Sequence, residues 1–583
     1  MVGLSIAQAH AALTAPGAPF ELEDITVEQY GRTQHYKVWK NAPKTIRDIW
    51  AATLQFKDRE YIVYEDERWT YAQCHRETSR YAHVLMNNLG VKKGDRVAIL
   101  MRNYPQWLLS WWGISLTGAI ITSCNSWLSV EEQVYCLTDV KAKIVLCDYE
   151  RAEALMTMRD ELKKGGVEHI VVARGDKAPA GCLLLNDFLK NAPADPAWPT
   201  VQIERDDDAT ILFTSGTTGK PKGAIAAQRT AGVNMINNFL VPVRDLLRKG
   251  EPIPTPDASI QKTTLMPVPL FHVTGSHAIM MPATIMGNKM VLMFKWDAGQ
   301  ALKLIEREKV SAMGGVPAMG WQLFEHPDFD KYDLSSIEGA SFGGAPVPSQ
   351  LGDRVKKSMP TILSGQGYGS TEASGVVTGN LGYDYVRKPT SIGVPAPGTE
   401  VKIVNPETGK EVAPGESGEL WSRSGQTIKG YYNKKEATES TFTPEGWYKS
   451  GDIARMDEEG FFYIMDRVKD IVIRGGENIT CIEVEDALYS HEAVMDCAVM
   501  GIPHRVLGEE VIAAVQIKEG HRGKVAAADL IKHVKAKLAS FKVPIYIRLD
   551  NEPLPRNANG KILKREMKAD LIKDALKSLG PRL

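Results

Sequence analysis

Ten consecutive residues, Thr214-Ser215-Gly216-Thr217-Thr218-Gly219-Lys220-Pro221-Lys222-Gly223, directly follow the apolar run Ile211-Leu212-Phe213. A strand that runs into a loop of glycines, hydroxyls and lysines constrains this chain more than any other feature. Glycines let the backbone bend sharply and approach an anion closely. Successive N–H groups and hydroxyls can then surround phosphate oxygens, with lysines adding charge. A Walker A loop needs the pattern G-x-x-x-x-G-K-[ST]. Here two residues separate Gly216 from Gly219, and Pro221 follows Lys220 where a hydroxyl should stand, so that reading fails. A plain connecting turn has no need of hydroxyls, glycines and lysines together.

The 583 residues exceed what a single core supports, which predicts one large part and at least one further domain. Short β-branched runs (Val97-Ala98-Ile99-Leu100, Lys143-Ile144-Val145-Leu146, His169-Ile170-Val171-Val172) alternate with longer helical patterns. Apolar runs with helices between them predict parallel strands in an α/β fold. Residues 398–448 are dense in Gly, Pro and charge, and predict a small β-rich subdomain with strands at Val401-Lys402-Ile403-Val404 and Gly418-Glu419-Leu420-Trp421. A further unit starts near Asp470. It has strands at Ile471-Val472-Ile473 and Val511-Ile512-Ala513-Ala514-Val515, and a helix carrying Met567, Leu571, Ile572, Leu576 and Leu579. The boundary is placed at 467–470. Residues 241–261 read as a long, Pro-rich connection. The apolar window 107–122 reads as a buried helix, since it falls short of the roughly 20 residues of a membrane span.

Formal net charge is -1, so no global field recruits nucleic acid. From Gly520 to the end there are 15 Lys and Arg against 6 Asp and Glu, a basic tail that could meet a polyphosphate or be a solvated helix face. The seven cysteines form no C-x-x-C pair, which points to a reduced, cytoplasmic-type compartment rather than a disulfide framework or a zinc site. The N-terminus lacks a basic n-region and a sustained apolar stretch, so no signal peptide is expected. The final Pro-Arg-Leu is only faintly similar to a peroxisomal signal. No transmembrane segment is expected, and a homodimer is one option.

Further motifs follow the glycine-rich loop in order: Pro269-Leu270-Phe271-His272, Gly343-Gly344-Ala345-Pro346, Gln366-Gly367-Tyr368-Gly369-Ser370-Thr371-Glu372, Tyr448-Lys449-Ser450-Gly451-Asp452, Asp466-Arg467-Val468-Lys469-Asp470, Arg474-Gly475-Gly476-Glu477-Asn478 and Pro555-Arg556-Asn557-Ala558-Asn559-Gly560-Lys561-Ile562. Each alone is weak to moderate; the ordered set is specific. With the loop, it resembles the adenylate-forming superfamily of acyl-CoA synthetases, aryl-CoA ligases, luciferases and peptide-synthetase adenylation domains over nearly the whole chain. The resemblance implies an α/β large domain of two α/β subdomains plus a small β-barrel-like subdomain. It adds a small, mobile α+β C-terminal domain. Residues 1–467 would be the AMP-binding adenylation domain, its β-rich part at about 390–467, and 468–583 the lid.

The implied reaction is attack of a carboxylate on the α-phosphorus of ATP, with pyrophosphate leaving, followed by transfer of the acyl group to coenzyme A. Two anions must meet, so positive charge and positioning are needed. The resemblance assigns the β- and γ-phosphates to the loop, with Thr214, Ser215, Gly216, Thr217, Thr218 and Lys222 as binding residues. Mg²⁺ goes to Glu372 and Thr217, and the α-phosphate to Thr371. Adenine falls to Tyr368 with the backbone of Gly344 and Ala345, Gln366, Gly367 and Gly369 flanking it. The ribose goes to Asp452 and Arg467. In isolation Asp452 reads as a turn or cap residue. Lys561 would be brought in by the lid to bridge carboxylate and α-phosphate, Lys469 would be the hinge, and Arg474, Gly475, Gly476 and Glu477 would face coenzyme A. Two glycines in a strand suggest the close approach of another group, or an ordinary bulge.

The acyl pocket is expected from His272, Val273, Ser276, Gly314, Gly315, Val316, Gly343 and Ala373. Those stretches carry no charge to pair with an ammonium, which favours a fatty or aromatic acid over an amino acid. Ser370, Ala226-Ala227-Gln228 and 241–261 depart from many relatives. Delivery to a carrier protein, a luciferase-like oxidation and a non-catalytic nucleotide-binding relative are the competing readings. The presence of Glu372, Asp452, Arg467 and Lys561 argues against the last.

Overall fold

The computed structural model describes residues 3–579 apart from 215–219, 255–256, 258, 346 and 558–559, and not the side chain of Ser349. Two large sheets dominate. The first runs in spatial order 430–431, 222–227, 208–214, 120–123, 96–100, 144–148, 169–174, 183–184. The second runs 394–395, 375–381, 363–370, 339–343, 312–315, 263–266, 289–292, 60–64, 67–70. Their centres are parallel and buried on both faces, as at Ile144–Asp148, where every residue is buried, so these strands read as unbroken apolar runs. One core joins both sheets. Trp107, Trp111 and Trp112 on the helix Pro105–Thr117 pack there with Ile62, Val97 and Met266.

The apolar window 107–122 is thus not one helix. The helix stops at Gly118, whose φ of +73° only glycine adopts freely, and the chain turns into the strand Ile120–Ser123. Residues 241–261 are not all connection either. The helix Gln228–Lys249 continues through Pro242, which forgoes one backbone hydrogen bond in its interior. Among the described residues no helix is long and apolar enough to cross a membrane.

The expected barrel-like piece is a four-stranded antiparallel sheet of Thr399–Val404, Ser417–Ser424, Tyr448–Met456 and Phe462–Arg467. The segment Gly430–Tyr431 belongs elsewhere: it pairs with Ala224 and Ile225 at the edge of the first large sheet. After Arg467 the chain turns and enters a five-stranded sheet in which Val472–Arg474 pairs with Glu477–Ile479. In its central strand, Gly508–Ile517, Val511, Ala513 and Val515 face the helices Cys481–Tyr489 and Ala527–Lys535. Ile512 and Ala514 face the other way, onto Met567 and Leu571 of the helix Lys564–Leu579. This period of two buries both faces of one strand. Leu576, expected on the apolar stripe of that last helix, is instead 46% exposed, and Ala575 takes the buried place.

Candidate active site

The two large sheets, the small antiparallel sheet and the C-terminal domain meet around one cavity of about 1520 Å³. The strand Leu363–Ser370 delivers Gln366, Gly367, Tyr368 and Gly369 to it, and Thr371 and Glu372 follow in the turn at its carboxyl end. Ligands of open α/β sheets gather at such ends. That turn is tightly specified. Ser374 has a φ of +52° and Gly375 of +131°, and a Cβ on Gly375 would lie 2.2 Å from Oδ1 of Asn234. The same Asn234 oxygen accepts the Val376 N–H at 2.9 Å. Glu372 Oε1 accepts a hydrogen bond from the Tyr431 hydroxyl at 2.7 Å, and Lys222 Nζ lies 4.3 Å from the centroid of the Tyr431 ring. The Thr214 hydroxyl is buried without a partner among the described residues. Ser215, Gly216, Thr217 and Thr218 lie outside the described residues.

Asp452 and Arg467 stand opposite each other on neighbouring strands of the small sheet. Asp452 Oδ2 accepts the Tyr368 hydroxyl at 2.7 Å, and Arg467 Nε sits 3.2 Å from Oδ1. Asp452 is therefore a strand residue fixed by two partners, not a turn or cap residue. Burial and then the Asp452 charge push the Tyr368 phenol well up, so it stays a neutral donor. Burial works against the Arg467 charge, but Asp452 and two tyrosines outweigh it and its pKa rises. Gln366 lines the cavity, yet its amide is spent on the carbonyls of Pro389 and Ser391. Gly344 and Ala345 line the cavity, and Gly344 has a φ of +75°.

Lys561 reaches this cavity from the C-terminal domain. Its turn is pressed against the large domain, since a Cβ on Gly560 (φ +74°) would lie 2.6 Å from Val316 Cγ2. Desolvation, helped by Arg467 and Lys469, lowers the Lys561 pKa to about 8. Lys469, in the turn between the two domains, is also lowered by burial.

The rest of the cavity is a slot between a sheet face and two helices. On the strand Gly339–Gly343, Ala340 and Phe342 face a core while Ser341 and Gly343 face the slot. Gly314 pairs with Ser341, and Gly343 with Gly367, so small residues lie side by side across the strands and keep the slot open. Phe239, Val241 and Pro242 of the long helix, and Ile279, Pro282 and Met286, form the opposite wall. His272, Val273, Gly314, Gly315, Val316 and Gly343 line the cavity. Ser276 and Ala373 do not. Ser276 is fully buried, its hydroxyl donating to the His272 carbonyl at 3.0 Å, and Ala373 is buried behind the Thr371 turn. Nδ1 of His272 accepts the Thr274 N–H at 3.3 Å, and burial lowers its pKa to about 4, which keeps the ring neutral.

The Arg474-Gly475-Gly476-Glu477 stretch is a hairpin turn rather than a continuous strand. Gly475 (φ +59°) and Gly476 (φ +89°) are the two central residues, and both need the left-handed region. The glycines, with Glu477, are exposed, while Arg474 is committed to Glu510 through bonds of 2.7 and 2.9 Å. Motif order did not reveal Tyr431, Asn234 or Asp466 as site residues. Tyr431 pairs across more than 200 residues, which no local pattern signals.

The family model for "AMP-binding enzyme" matches residues 49–432, and that for "AMP-binding enzyme C-terminal domain" matches 483–561. The chain is 32% identical over 551 residues to the long-chain-fatty-acid–CoA ligase of Bacillus subtilis (strain 168), covering 90% of this chain and 94% of the relative. It is 33% identical over 500 residues to the feruloyl-CoA synthase of an Amycolatopsis species, covering 86% and 93%. The crystal structure of the anthranilate CoA ligase AuaEII with anthranoyl-AMP superposes with a TM-score of 0.80 at 26% identity, covering 91% of this chain and 98% of that one. A nucleotide-sized cleft ringed by this motif set, matched by both family models, makes the chain a member of the AMP-binding, adenylate-forming family of acid–thiol ligases.

Proposed function

We propose that the protein activates a medium- to long-chain fatty acid with ATP and passes the acyl group to coenzyme A. The carrying observation is the slot: its walls are mostly apolar or glycine, with neutral polar groups at Asn238, Thr264, Asn288 and Ser341 and no charged side chain among the described residues, and it opens at His272 and Gly343 beside the nucleotide cleft. It runs along the strands from Gly343 back past Ala312, roughly 13 Å at 3.3 Å per residue. A single aromatic ring at the carboxylate would not fill that depth, which supports an extended acyl chain over a benzoate-type acid. The relatives include fatty-acid and feruloyl ligases.

In the first half-reaction a carboxylate oxygen attacks the α-phosphorus and the bond to pyrophosphate breaks. Tyr368 and the backbone at Gly344 hold the adenine, Asp452 and Arg467 the ribose, and Thr371 with Lys561 the α-phosphate and the incoming carboxylate. Two anions in one site need this fixed positive charge. The half-buried Glu372 carboxylate and the partnerless Thr214 hydroxyl fit a magnesium ion beside the phosphates. When bound, that ion supplies charge neutralisation on the phosphate oxygens. In the second half-reaction the thiol of coenzyme A attacks the acyl carbon, the bond to AMP breaks, and the thiol proton leaves to solvent. His272 is neutral there and orients groups at the head of the slot.

Thioester formation with coenzyme A across a panel of acids is the direct test. Chain lengths of medium to long size should give the highest kcat/KM, and a preference for acetate or an amino acid would overturn the reading. Ser341 sits on the slot floor with room above it, so Ser341→Leu should lower kcat/KM for long acids by about tenfold or more while sparing short ones. Equal loss across lengths would remove Ser341 from the acyl path.

A pH effect also follows. With its pKa near 8 in the free enzyme, Lys561 is charged below that value and loses its charge above it. The kcat/KM for pyrophosphate exchange should therefore fall as pH rises through about 8, and this limb should vanish in Lys561→Ala.

A further inference from the structure

Asp466 lies at the end of the last strand of the small antiparallel sheet, three residues before the inter-domain Lys469. It is almost fully buried. One carboxylate oxygen accepts the Arg467 N–H at 2.7 Å. The other accepts the N–H of Cys481, across the domain boundary. Cys481 is the first residue of the helix Cys481–Tyr489, whose own N-cap residue, Thr480, makes no side-chain capping bond. The first N–H groups of a helix have no partner within it, and negative charge is favoured there. The large domain thus supplies the cap that the small domain's helix lacks.

A second group converges on the same place. Lys564, half-buried in the small domain, bonds Glu485 at 2.7 Å and interacts electrostatically with Asp466. Cys481 and Lys564 both belong to the small domain. Asp466 is held in the large domain by its strand pairing with Ile453. A rotation about 468–470 would leave Asp466 behind and carry Cys481 and Lys564 away, uncapping the helix and parting the charges.

We infer that Asp466 is a positioning residue that seats the small domain, and Lys561 with it, in the pose that forms the adenylate. This rests on the adenylation-then-thioester reading above. Asp466 touches no substrate in this role; it acts through Lys561 by fixing where the small domain docks.

The experiment compares both half-reactions in the full chain. Asp466→Ala should lower pyrophosphate exchange by about tenfold or more, the effect of losing a bond to a charged group. Conversion of supplied acyl-adenylate to thioester should be unchanged or faster. Asp466→Asn, which keeps an acceptor for the Cys481 N–H, should lose less. The decisive arm uses an inter-domain lock. Lys518 and Glu325, whose charged ends lie 3.6 Å apart across the two domains and which do not line the cavity, are replaced by cysteines and joined by a short bifunctional thiol-alkylating cross-linker such as a bis-maleimide. Locking should restore exchange in Asp466→Ala to near that of the locked parent. Unchanged exchange in Asp466→Ala, equal loss of both half-reactions, or no restoration by the lock would overturn the inference. Should Asp466→Ala melt early, Asp466→Asn with and without the lock carries the same test. A parent chain that exchanges pyrophosphate with none of the acids would instead defeat the proposed function.

Discussion

Lys561→Ala is expected to lower adenylation by about 10²-fold or more while leaving the conversion of supplied acyl-adenylate to acyl-CoA largely intact. The first effect follows from charge. Lys561 is a cation that the small domain brings to the cavity, coupled electrostatically to Asp452 and Arg467, and desolvation makes its ammonium costly until an anion arrives to pair with it. Carboxylate and α-phosphate supply that anion together, so the stabilisation is greatest where their charges converge. The second effect follows from chemistry: thiol attack on an adenylate expels AMP, a good leaving group, and needs no cation from this turn. Pyrophosphate exchange and single-turnover thioester formation measure the two halves, with thermal melts to show folding. Equal loss of both would mean that the small domain does not divide the two steps between different poses, and the hinge role of Lys469 would fall with it.

The glycine pair at Gly475 and Gly476, expected to face coenzyme A, decides how a Gly476→Leu substitution acts. Two adjacent glycines were compatible with close approach of a ligand or with a backbone irregularity. Their positive φ values show a demand from the turn itself, and a Cβ on Gly476 meets nothing within 4 Å in this arrangement. A bulky residue there strains the hairpin whatever passes beside it, so a loss of thioester formation in Gly476→Leu counts only if Gly476→Asn, which tolerates that φ better, loses less.

The strands at 96–100, 144–148 and 169–174 were legible because parallel strands buried on both faces are continuous apolar runs. The window 107–122 misled for the same reason: burial on all sides hides where a helix ends and a strand begins, and only Gly118 marks the break. Pro242 argued for a connection, but burial of Val233, Met235 and Leu240 on the same helix outweighs one lost backbone bond. In the site, motif order pointed to residues that the fold brings into one cavity from four separate parts of the chain. It could not say which way each side chain faces. Ser276 and Ala373 neighbour lining residues in sequence yet turn into the core, while Gln366 lines the cavity with its amide already taken. Tyr431 and Asp466 act through partners 59 and 15 residues away, contacts that exist only once the sheets are assembled.

Glu372→Gln is expected to reduce pyrophosphate exchange by about 10²-fold or more, with thermal stability preserved. An amide is isosteric but lacks the charge that a hard divalent cation requires of its oxygen ligands. The geometry sharpens the test, because Glu372 is not held by its own turn alone. Tyr431 donates to Oε1 at 2.7 Å, which fixes the carboxylate's rotation and directs it toward the cavity, while its ring faces Lys222. Partners that orient a metal ligand typically carry about 10- to 100-fold in metal affinity. Tyr431→Phe should therefore raise the Mg²⁺ concentration needed for half-maximal exchange by about tenfold, with a smaller effect on the rate at saturating Mg²⁺. Glu372→Gln should not be rescued at any Mg²⁺ concentration. Direct titration with Mn²⁺, followed by its electron paramagnetic resonance signal with a non-hydrolysable ATP analogue present, gives a readout independent of turnover. Weakened binding in both variants, stronger in Glu372→Gln, is the expected order. Unchanged Mn²⁺ binding and exchange in folded Glu372→Gln would take this carboxylate out of the metal site and leave its bond to Tyr431 a structural one.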